Sequence, residues 1–418
     1  MARPRRAVNR RRSFTLTGAA GAARFGALSC PDVALAAVPI RFDAVRSWLF
    51  DKALPLWSSA GLDQTHGGSV ESLAFSGLAG ARPFKRTRVQ ARQVYAFSHA
   101  HLLGWNGPAL EAAEHCWRFL QANGRRADGG WVRLIGRGGG QLDPVADTYD
   151  TAFVLYALAW RLRCGDPDAL AQAHDAQDAL DRLLGLGPCR GWRASEVNPA
   201  RLLNPHMHML EASLALAEAG RDERFAKVAS GILKLFRDRL FEPDPGVLGE
   251  VFDAEWRPAQ GQARRIWPGH HYEWTWLLHR AGTVLGEDLA MQAAALYRFA
   301  EARGLDPRLR LVDDGLEGPV LQPRGTFRIW QQAEALKAHL AMFEHQGLEA
   351  RARVAETLDQ LLDRYLAVEP AGGWQDRFGP DWAPLATDIP ASILYHLVLA
   401  FSELLRLEPQ LSQPASAS

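Results

Sequence analysis

One pattern recurs six times along this chain of 418 residues: a short polar or aromatic cluster followed by an apolar run of helical length. Successive runs begin 57 to 64 residues apart. Such regular spacing over five intervals indicates an internal repeat, so the chain is predicted to fold as six similar units. The runs begin near Arg88, Tyr149, His206, His270, Trp330 and Pro390.

A second series of helical segments alternates with the first and is amphipathic. In one of them Leu110, Ala113, Trp117 and Leu120 share a face, at the spacing that one side of an α-helix requires. The first series is apolar nearly all round, which is typical of helices buried on both sides. Together the two series predict an all-α (α/α)6 barrel with six inner and six outer helices. The outer segments begin near Arg41, Pro108, Pro167, Arg221, Glu287 and Glu349.

An open solenoid of helix pairs is the alternative architecture, but its repeats run to only about 34 to 47 residues. The longer period here is explained by glycine-rich loops before the inner helices, such as Asp128-Gly129-Gly130-Trp131 and Gly372-Gly373-Trp374. We expect these loops and short β-hairpins to gather at one end of the barrel and form the mouth of a site. We assign a single barrel domain to residues 38–410 and a disordered tail to residues 411–418.

The first 37 residues differ in composition from the rest and are excluded from the fold. Within them, Arg11-Arg12-Ser13-Phe14 resembles the core of a twin-arginine export signal, and Ala34-Leu35-Ala36 offers a cleavage site. Arg24 interrupts the apolar region, so a disordered basic tail or a misassigned start is the alternative. We expect a periplasmic protein, with a cytoplasmic location as the alternative.

Composition argues against several classes of protein. The formal net charge is +1, which gives no broad electrostatic field toward nucleic acid or a membrane surface, and we expect neither as a partner. None of the four cysteines forms a CxxC pair, so a zinc ribbon or redox motif is not expected. The fourteen tryptophans suit stacking on sugar rings, but they also fill large cores, and we favour the core interpretation.

Polar and aromatic side chains concentrate in the first turns of the predicted inner helices, where free N–H groups and helix dipoles favour an anion. A single histidine on an apolar helix is more often a hydrogen-bonded core residue. Histidines at the same end of three inner helices instead indicate a shared site. The residues concerned are Arg92, Tyr149, Asn204, His206, His208, His270, His271, Glu273, Trp330, Gln332, Glu334 and His396.

Three chemistries compete for this set, and the first is metal binding. The side chains of His206 and His208 diverge by about 200° on a helix, and those of His270 and His271 by about 100°. No HExxH or comparable spacing is present. We therefore expect no catalytic metal.

The second chemistry is glycoside hydrolysis, which needs two carboxylic acids across the scissile bond. The third is proton transfer at a carbon next to a carbonyl, for which histidine has a suitable pKa. Arg92 would then stabilise the developing oxyanion. The third chemistry uses every unusual residue class present, whereas hydrolysis leaves the histidines without a clear role. A sugar-binding barrel without catalysis also stays open. The carboxylates available for hydrolysis are Asp150, Glu273, Glu334 and Asp376.

Five short motifs carry a resemblance to a known family. They are Gln90-Ala91-Arg92, Asn204-x-x-x-His208, Gly269-His270-x-x-Glu273, Trp330-x-Gln332-x-Glu334-Ala335 and Tyr395-His396. On these motifs the chain resembles the N-acylglucosamine 2-epimerase superfamily from about residue 41 to 405. This superfamily includes mannose isomerases and cellobiose 2-epimerases on (α/α)6 barrels.

The resemblance implies that His270 and His396 are the catalytic pair, with His396 as the base at C2 of the sugar. His270 would then assist ring opening or return the proton. The resemblance also selects His208 over His206 and His270 over His271, and implies a monomer or homodimer with no cofactor and no metal. The substrate-binding residues that its motifs imply are Arg92, Asn204, His208, Glu273, Trp330 and Gln332. To these we add Tyr149 from the first turn of an inner helix and Trp374 from a glycine-rich loop.

The activity implied is that of an aldose–ketose isomerase of the D-mannose/D-fructose type, acting through a cis-enediolate. A sugar 2-epimerase acting on an N-acylglucosamine, on mannose/glucose or on cellobiose is the alternative, and a glycoside hydrolase is a more distant one. Leu397 follows His396 where cellobiose epimerases tend to have asparagine, which counts against cellobiose. The mouth motifs hold no basic cluster beyond Arg264-Arg265 and Arg328, so a phosphorylated sugar is not favoured.

Overall fold

A computed structural model describes residues 39–187 and 190–413. The predicted export signal therefore lies outside the described residues. The described part of the chain is mainly helical, and the helices of the two series begin within four residues of the starts predicted from the repeat.

The outer helices are amphipathic, as α4 shows by burying one face only. The first of them consists of α1 and α2, which are joined by a π-helical segment, and the fourth and sixth end in π-helical turns. The outer helices are α1 (Phe42–Arg46) with α2 (Leu54–Ser59), α4 (Ala109–Gly124), α6 (Ala169–Leu184), α8 (Glu223–Leu235), α10 (Ala290–Arg303) and α12 (Leu348–Gln360).

The inner helices are buried over most of their circumference, as the unbroken buried run 150–160 in the second of them shows. Each packs against the next, and the sixth packs against the first, so the described residues form a closed inner ring within an outer ring. The predicted (α/α)6 barrel is confirmed. The inner helices are α3 (Thr87–Leu102), α5 (Thr148–Arg163), α7 (Leu203–Gly220), α9 (Pro268–Leu285), α11 (Ile329–Gln346) and α13 (Leu394–Arg406), the last preceded by a 3-10 turn (Ala391–Ile393).

Short strands lie in the loops at one end of the barrel, where the inner helices begin. A strand ends immediately or one residue before each inner segment. The strands are β1 (Ser72–Leu73), β2 (Phe84–Arg86), β3 (Val132–Gly136), β4 (Gln141–Ala146), β5 (Arg201–Leu202), β6 (Phe241–Glu242), β7 (Val247–Leu248), β8 (Val251–Phe252), β9 (Arg265–Ile266), β10 (Leu316–Glu317), β11 (Gln322–Pro323), β12 (Phe327–Arg328), β13 (Arg377–Phe378) and β14 (Ile389–Pro390).

Antiparallel pairing of these strands joins each loop to the next around the mouth. The pairs β2–β3, β5–β8, β9–β10 and β12–β13 link neighbouring loops, and a single bridge between Asp147 and Ser195 links the second loop to the third. The pair β1–β14 links the last loop to the first. We call this set of pairings the collar. It holds the N-terminal ends of the inner helices in a closed circle.

The tryptophans mostly fill the core, as composition suggested. Eleven of the fourteen are buried, and all fourteen lie within the described residues. Trp57 and Trp374, for example, stack with ring centroids 4.8 Å apart and an interplanar angle of 15°. The indole N–H of Trp57 also donates to the carbonyl of Gly372 at 3.3 Å. This stack fixes the loop before the sixth inner helix against the first outer helix.

The C-terminal boundary needs one correction. Leu411, which we expected to begin a disordered tail, is fully buried at the end of the short helix α14 (Glu408–Leu411). Its apolar side chain packs into the core, so the fold extends at least one residue further than predicted. Among the described residues, no helix is both long and apolar enough to cross a membrane.

A buried ion pair anchors the first loop of the collar. The carboxylate of Asp63 accepts hydrogen bonds from the backbone N–H groups of Thr65 and His66, and lies 3.2 Å from the ammonium of Lys85. Arg137 donates to it from the next loop at 3.1 Å. Burial alone would raise the pKa of Asp63, but the His66 N–H and the Lys85 ammonium outweigh it and hold this pKa at about 2.

Replacing this carboxylate should destabilise the fold. In Asp63→Asn the ammonium of Lys85, only 1% exposed, loses its counter-charge, so we expect the free energy of unfolding to fall by about 3–5 kcal/mol in urea titrations. The difference in the free energy of unfolding between wild type and Asp63→Asn should shrink as the pH falls from about 4 toward 2, because Asp63 then becomes protonated. The exposed pair of Glu223 and Lys227 is the control, and Glu223→Gln should cost less than about 1 kcal/mol. A loss this small in Asp63→Asn would contradict the anchoring role.

Candidate active site

A cavity of about 220 Å³ opens at the mouth inside the collar. Loop residues and the first turns of the inner helices form its walls, as predicted. Eight of the ten predicted site residues line it. The lining residues are Arg86, Arg88, Arg92, Tyr149, Asn204, His208, Trp267, His270, Glu273, Arg328, Trp330, Ser392, Ile393 and His396.

Local sequence places these side chains in the first turns. Asp147 caps α5, because its carboxylate accepts the N–H groups of Tyr149 and Asp150. Pro268 occupies the first turn of α9, where its missing N–H costs nothing, and His270, two residues later, lies in the cavity wall. Each helix therefore starts at a point that aims its first turn at the mouth.

Two residues that we predicted to contact the substrate do not line the cavity. Gln332 is buried, and its side-chain amide both accepts from the N–H of Val312 at 2.9 Å and donates to its carbonyl at 3.0 Å. It therefore holds a loop in place and does not face the cavity. Trp374 is fully buried in the stack with Trp57. Their sequence motifs describe packing around the site.

The first catalytic candidate, His270, is fixed by a buried carboxylate. Its Nδ1 lies 2.9 Å from Oε2 of Glu250, and Oε1 of Glu250 accepts the backbone N–H of Trp267 at 3.1 Å. Because an ionised carboxylate only accepts hydrogen bonds, Nδ1 carries the proton. With the proton on Nδ1, Nε2 is left to face the cavity, the arrangement that a general base or a proton shuttle requires.

The second candidate, His396, is arranged in the same way. Its Nδ1 lies 2.6 Å from Oε1 of Glu334. Burial, followed by the charges of Arg92 and Lys337, lowers the pKa of His396 well below the usual value for histidine. The imidazole is therefore neutral at physiological pH and can accept a proton.

Trp330 lies against both histidines. Its ring centroid is 5.4 Å from that of His270 and 5.7 Å from that of His396. The two imidazoles come from α9 and α13, so they approach the cavity from different helices. A sugar bound in this cavity would meet one aromatic face and two bases.

The neighbouring histidines, His206 and His271, form hydrogen bonds with backbone groups. His206 accepts the N–H of Trp192 at Nε2 and bonds the carbonyl of Leu202 at Nδ1. His271 accepts the N–H of Leu248 at Nε2 and bonds the carbonyl of Trp267 at Nδ1. Because both ring nitrogens of each residue are occupied, neither can exchange protons with a substrate. This contact pattern is consistent with the choice of His208 and His270 over these neighbours.

A third histidine joins a cluster of carboxyl groups beneath the cavity. Nδ1 of His208 lies 3.0 Å from Oε2 of Glu211, whose other oxygen accepts the hydroxyl of Tyr395 at 2.6 Å. Burial lowers the pKa of His208 to about 4. Glu273 is buried beside it without a hydrogen-bond partner, and burial, then the charge of Glu334, raises its pKa well above the usual value. The environment of Glu273 therefore favours its protonated form, which can donate to a sugar oxygen.

Within the described residues, His208, Glu211 and Glu273 also form the one cluster whose donor atoms lie close enough together to hold a metal ion. Their atoms fall within 4.8 Å of one another. The hydrogen bonds from His208 and Tyr395 to Glu211 account for this arrangement through shared protons. Neither oxygen of Glu273 has such a partner, so hydrogen bonds account for two of the three residues.

Arg92 is the cavity's available cation. Its guanidinium donates to the hydroxyl of Tyr149 at 2.8 Å and to the carbonyl of Ser392 at 3.3 Å, and lies 4.1 Å from the ring centroid of Phe153. Among the described residues no carboxylate forms a salt bridge with it. The other arginines of the cavity are paired: Arg86 with Glu71, Arg88 with Asp150, and Arg328 with Asp376. Arg92 is therefore free to stabilise a developing oxyanion.

The carboxylates considered for glycoside hydrolysis are not arranged for it. Asp150 is held by Arg88, Asp376 by Arg328, and Glu334 by His396. Of the four, Glu273 alone lines the cavity in the described part of the chain. Two opposed carboxyl groups are needed for that chemistry, so the geometry argues against it.

Sequence reasoning missed Glu250 and Trp267. Glu250 lies between β7 and β8, directly after Gly249. Helical periodicity cannot place a loop residue against a helix. The only available signal was a carboxylate next to a glycine-rich turn at the mouth.

Comparisons with known proteins agree with the fold. The sequence profile of the N-acylglucosamine 2-epimerase (GlcNAc 2-epimerase) family matches residues 68–400. The chain belongs to this family.

Relatives within the family differ in the reaction that they are named for. A mannose-6-phosphate isomerase of Rhizobium meliloti is 35% identical over 370 residues, which is 85% of this chain and 95% of that protein. A cellobiose 2-epimerase of Ruminococcus albus is 26% identical, over 81% of this chain and 91% of that protein. The crystal structure of a D-mannose isomerase superposes with a TM-score of 0.78 at 20% identity, covering 88% of this chain and 99% of that one, which shows the shared fold.

The carboxylate of Glu250 should be essential for His270. In the wild type both carboxylate oxygens of Glu250 accept a hydrogen bond. Glu250→Gln replaces one of these oxygens with an NH2 group, which can only donate. If the amide oxygen keeps the Trp267 N–H, the NH2 faces Nδ1 of His270 and moves the ring proton to Nε2. We expect kcat/KM to fall by about 100-fold or more.

Steady-state kinetics with D-mannose would measure this loss. Glu317→Gln is the matched control, because Glu317 belongs to the collar, pairs with Arg324 and does not line the cavity. The control should stay within about threefold of wild type. Equal activities of the two variants would show that Glu250 does not orient a catalytic imidazole.

Proposed function

We propose that this chain interconverts an aldose and its 2-ketose, of the D-mannose/D-fructose type, by moving a proton between C2 and C1. The observation that carries the proposal is the pair of imidazoles around Trp330. Each is bonded through Nδ1 to a buried carboxylate, and each presents Nε2 to the same cavity. Family membership supports the reaction class.

The reaction can be written with these residues alone. With the open-chain aldose bound, Nε2 of His396 removes the proton from C2, the electron pair forms the C1–C2 double bond, and negative charge develops on O1. Arg92 and the hydroxyl of Tyr149 stabilise this charge. The O2 proton then passes to O1, the charge left on O2 forms the C2 carbonyl, and the protonated His396 returns its proton to C1, which gives the ketose. His270 transfers a proton to or from the ring oxygen during opening and closing of the sugar ring.

A 2-epimerase is the second candidate, and a specific observation favours it. His270 and His396 lie on different helices and flank the same tryptophan, as two bases on opposite faces of a planar enediolate would. Return of the proton to C2 by His270 would invert that carbon. The named relatives include both an isomerase and an epimerase.

The paired arginines bear on the substrate's charge. Arg86, Arg88 and Arg328 each have a carboxylate partner, which leaves Arg92 as the cation without one among the described residues of the cavity. Arg92 is needed near the reacting carbons in this mechanism. We therefore favour an uncharged sugar over a phosphorylated one, although the relative from Rhizobium meliloti is named for mannose 6-phosphate.

Removing either imidazole should abolish turnover. We expect His270→Asn and His396→Asn each to lower kcat by at least about 1000-fold, since each loses a general acid/base. Chromatography after incubation with mannose, fructose, glucose, cellobiose, N-acetylmannosamine and mannose 6-phosphate would identify the substrate and measure the loss. His206→Gln is the control, because His206 forms hydrogen bonds only with backbone groups. Its turnover per folded molecule should stay within about threefold of wild type. Full activity in His396→Asn would overturn the mechanism.

The position of a solvent label should separate the two reactions. In D2O an isomerase places deuterium at C1 of the ketose, whereas an epimerase labels C2 of the epimeric aldose and forms no ketose. We expect label at C1, read by proton NMR of the purified product. Deuterium at C2 of an aldose product without ketose would favour the epimerase instead.

A further inference from the structure

The mechanism so far leaves one buried cation unused. Lys337 lies on α11, three residues after Glu334, and both side chains are fully buried. Its Nζ is 2.6 Å from Oε2 of Glu334, whose Oε1 is the atom bonded to Nδ1 of His396. A chain of three charged or polar groups thus runs from the inside of the barrel wall to the proposed base.

We propose that Lys337 is a positioning residue: its ammonium keeps Glu334 ionised, and Glu334 in turn keeps the proton of His396 on Nδ1 and the lone pair on Nε2. The inference rests on the proposed function, because it concerns the same base. Lys337 itself does not line the cavity, so it acts through Glu334 and does not touch substrate.

The burial of this lysine calls for an explanation. Lysine is almost never fully buried without a partner, and removing an ammonium from water costs several kcal/mol. Nζ also lies 4.4 Å from the ring centroid of Trp276, a contact that contributes only modestly. An apolar side chain of similar length would fill the same space without that cost. The charge therefore serves something other than packing.

The charges around Lys337 come from four helices. Glu334 is on its own helix, Glu273 and His270 are on α9, Glu211 and His208 are on α7, and His396 is on α13. Burial raises the pKa of Glu273 and of Glu334, while Lys337 lowers both. Of these two carboxyls, Glu334 alone contacts the ammonium. Lys337 thereby decides which one carries the negative charge.

The consequence for catalysis follows from the direction of one hydrogen bond. An ionised Glu334 accepts from Nδ1–H of His396, so Nε2 is a base. A protonated Glu334 would instead donate to Nδ1, and the proton of the neutral ring would sit on Nε2. The imidazole would then face the sugar with a donor and could not remove the C2 proton. Removing Lys337 shifts the cluster toward this inactive arrangement.

Lys337→Met tests the inference, since methionine keeps an unbranched chain and removes the charge. At pH 7 we expect kcat to fall by at least about 100-fold while KM changes by less than about threefold. The deficit should shrink at least about tenfold between pH 6 and pH 9, because Glu334 without Lys337 ionises only at higher pH. In nitrogen-15 NMR of histidine-labelled protein, Nε2 of His396 should be unprotonated in wild type and protonated in the variant at pH 7.

The chain offers a matched control in a second buried lysine that lies beside a carboxylate. Lys85 is 1% exposed and pairs with Asp63 outside the cavity. Lys85→Met should lower stability but leave kcat per folded molecule and its pH profile unchanged. If Lys337→Met behaves like Lys85→Met, the positioning role is overturned.

A double variant tests the inference if Lys337→Met fails to fold. Glu334→Gln/Lys337→Met removes both buried charges together, a replacement that buried pairs often tolerate. Its kcat should equal that of Glu334→Gln alone, because Lys337 acts only through the carboxylate. A kcat about tenfold or more below that of Glu334→Gln in the double variant would overturn the positioning role of Lys337. His396→Asn in the same assay separates the two proposals. An active His396→Asn would refute the proposed function. An inactive His396→Asn together with a fully active Lys337→Met would refute only the positioning role of Lys337.

Discussion

Closure of the inner ring is the constraint on which the site depends. α13 packs against α3, although they lie about 300 residues apart in the chain, and polar contacts cross this junction at the mouth. The side-chain amide of Gln93 donates to the carbonyl of Ala391 at 2.8 Å, and Arg92 donates to that of Ser392. Because of this junction, the free guanidinium of the first repeat lies in the same cavity as His396 of the last. An open solenoid with the same helices would leave them at opposite ends.

Within the closed ring, the partner of each histidine determines its chemistry. Carbonyl and N–H partners at both ring nitrogens hold His206 and His271 in a fixed structural role. A carboxylate at Nδ1 alone leaves His270 and His396 with a free Nε2 in the cavity wall. The distinction between core histidine and candidate base thus rests on hydrogen bonding, and burial does not separate them, since all four are buried.

The sequence alone predicted the barrel well and the site unevenly. Helix burial has a period, so six repeats were enough to place every barrel helix within four residues. The residues in the first turns followed from that placement. Partners that reach the site from loops did not, because loops have no period, and Glu250 was missed for this reason. Trp374 and Gln332 were assigned wrongly because a motif records which residues surround a site without recording which way they point.

The collar has a consequence for how such a site can change. Its strands are mostly two residues long and each loop is bonded to both neighbours, so the six loops act as a single hoop around the opening. Adding one residue inside a paired strand would turn its side chains to the opposite face and disturb the adjoining loops as well. New sugar preferences are therefore more accessible through exchanges of inward-facing side chains, or through growth at turn tips such as residues 137–140, than through changes in the paired segments. The same hoop that assembles the catalytic groups limits the routes by which they can diverge.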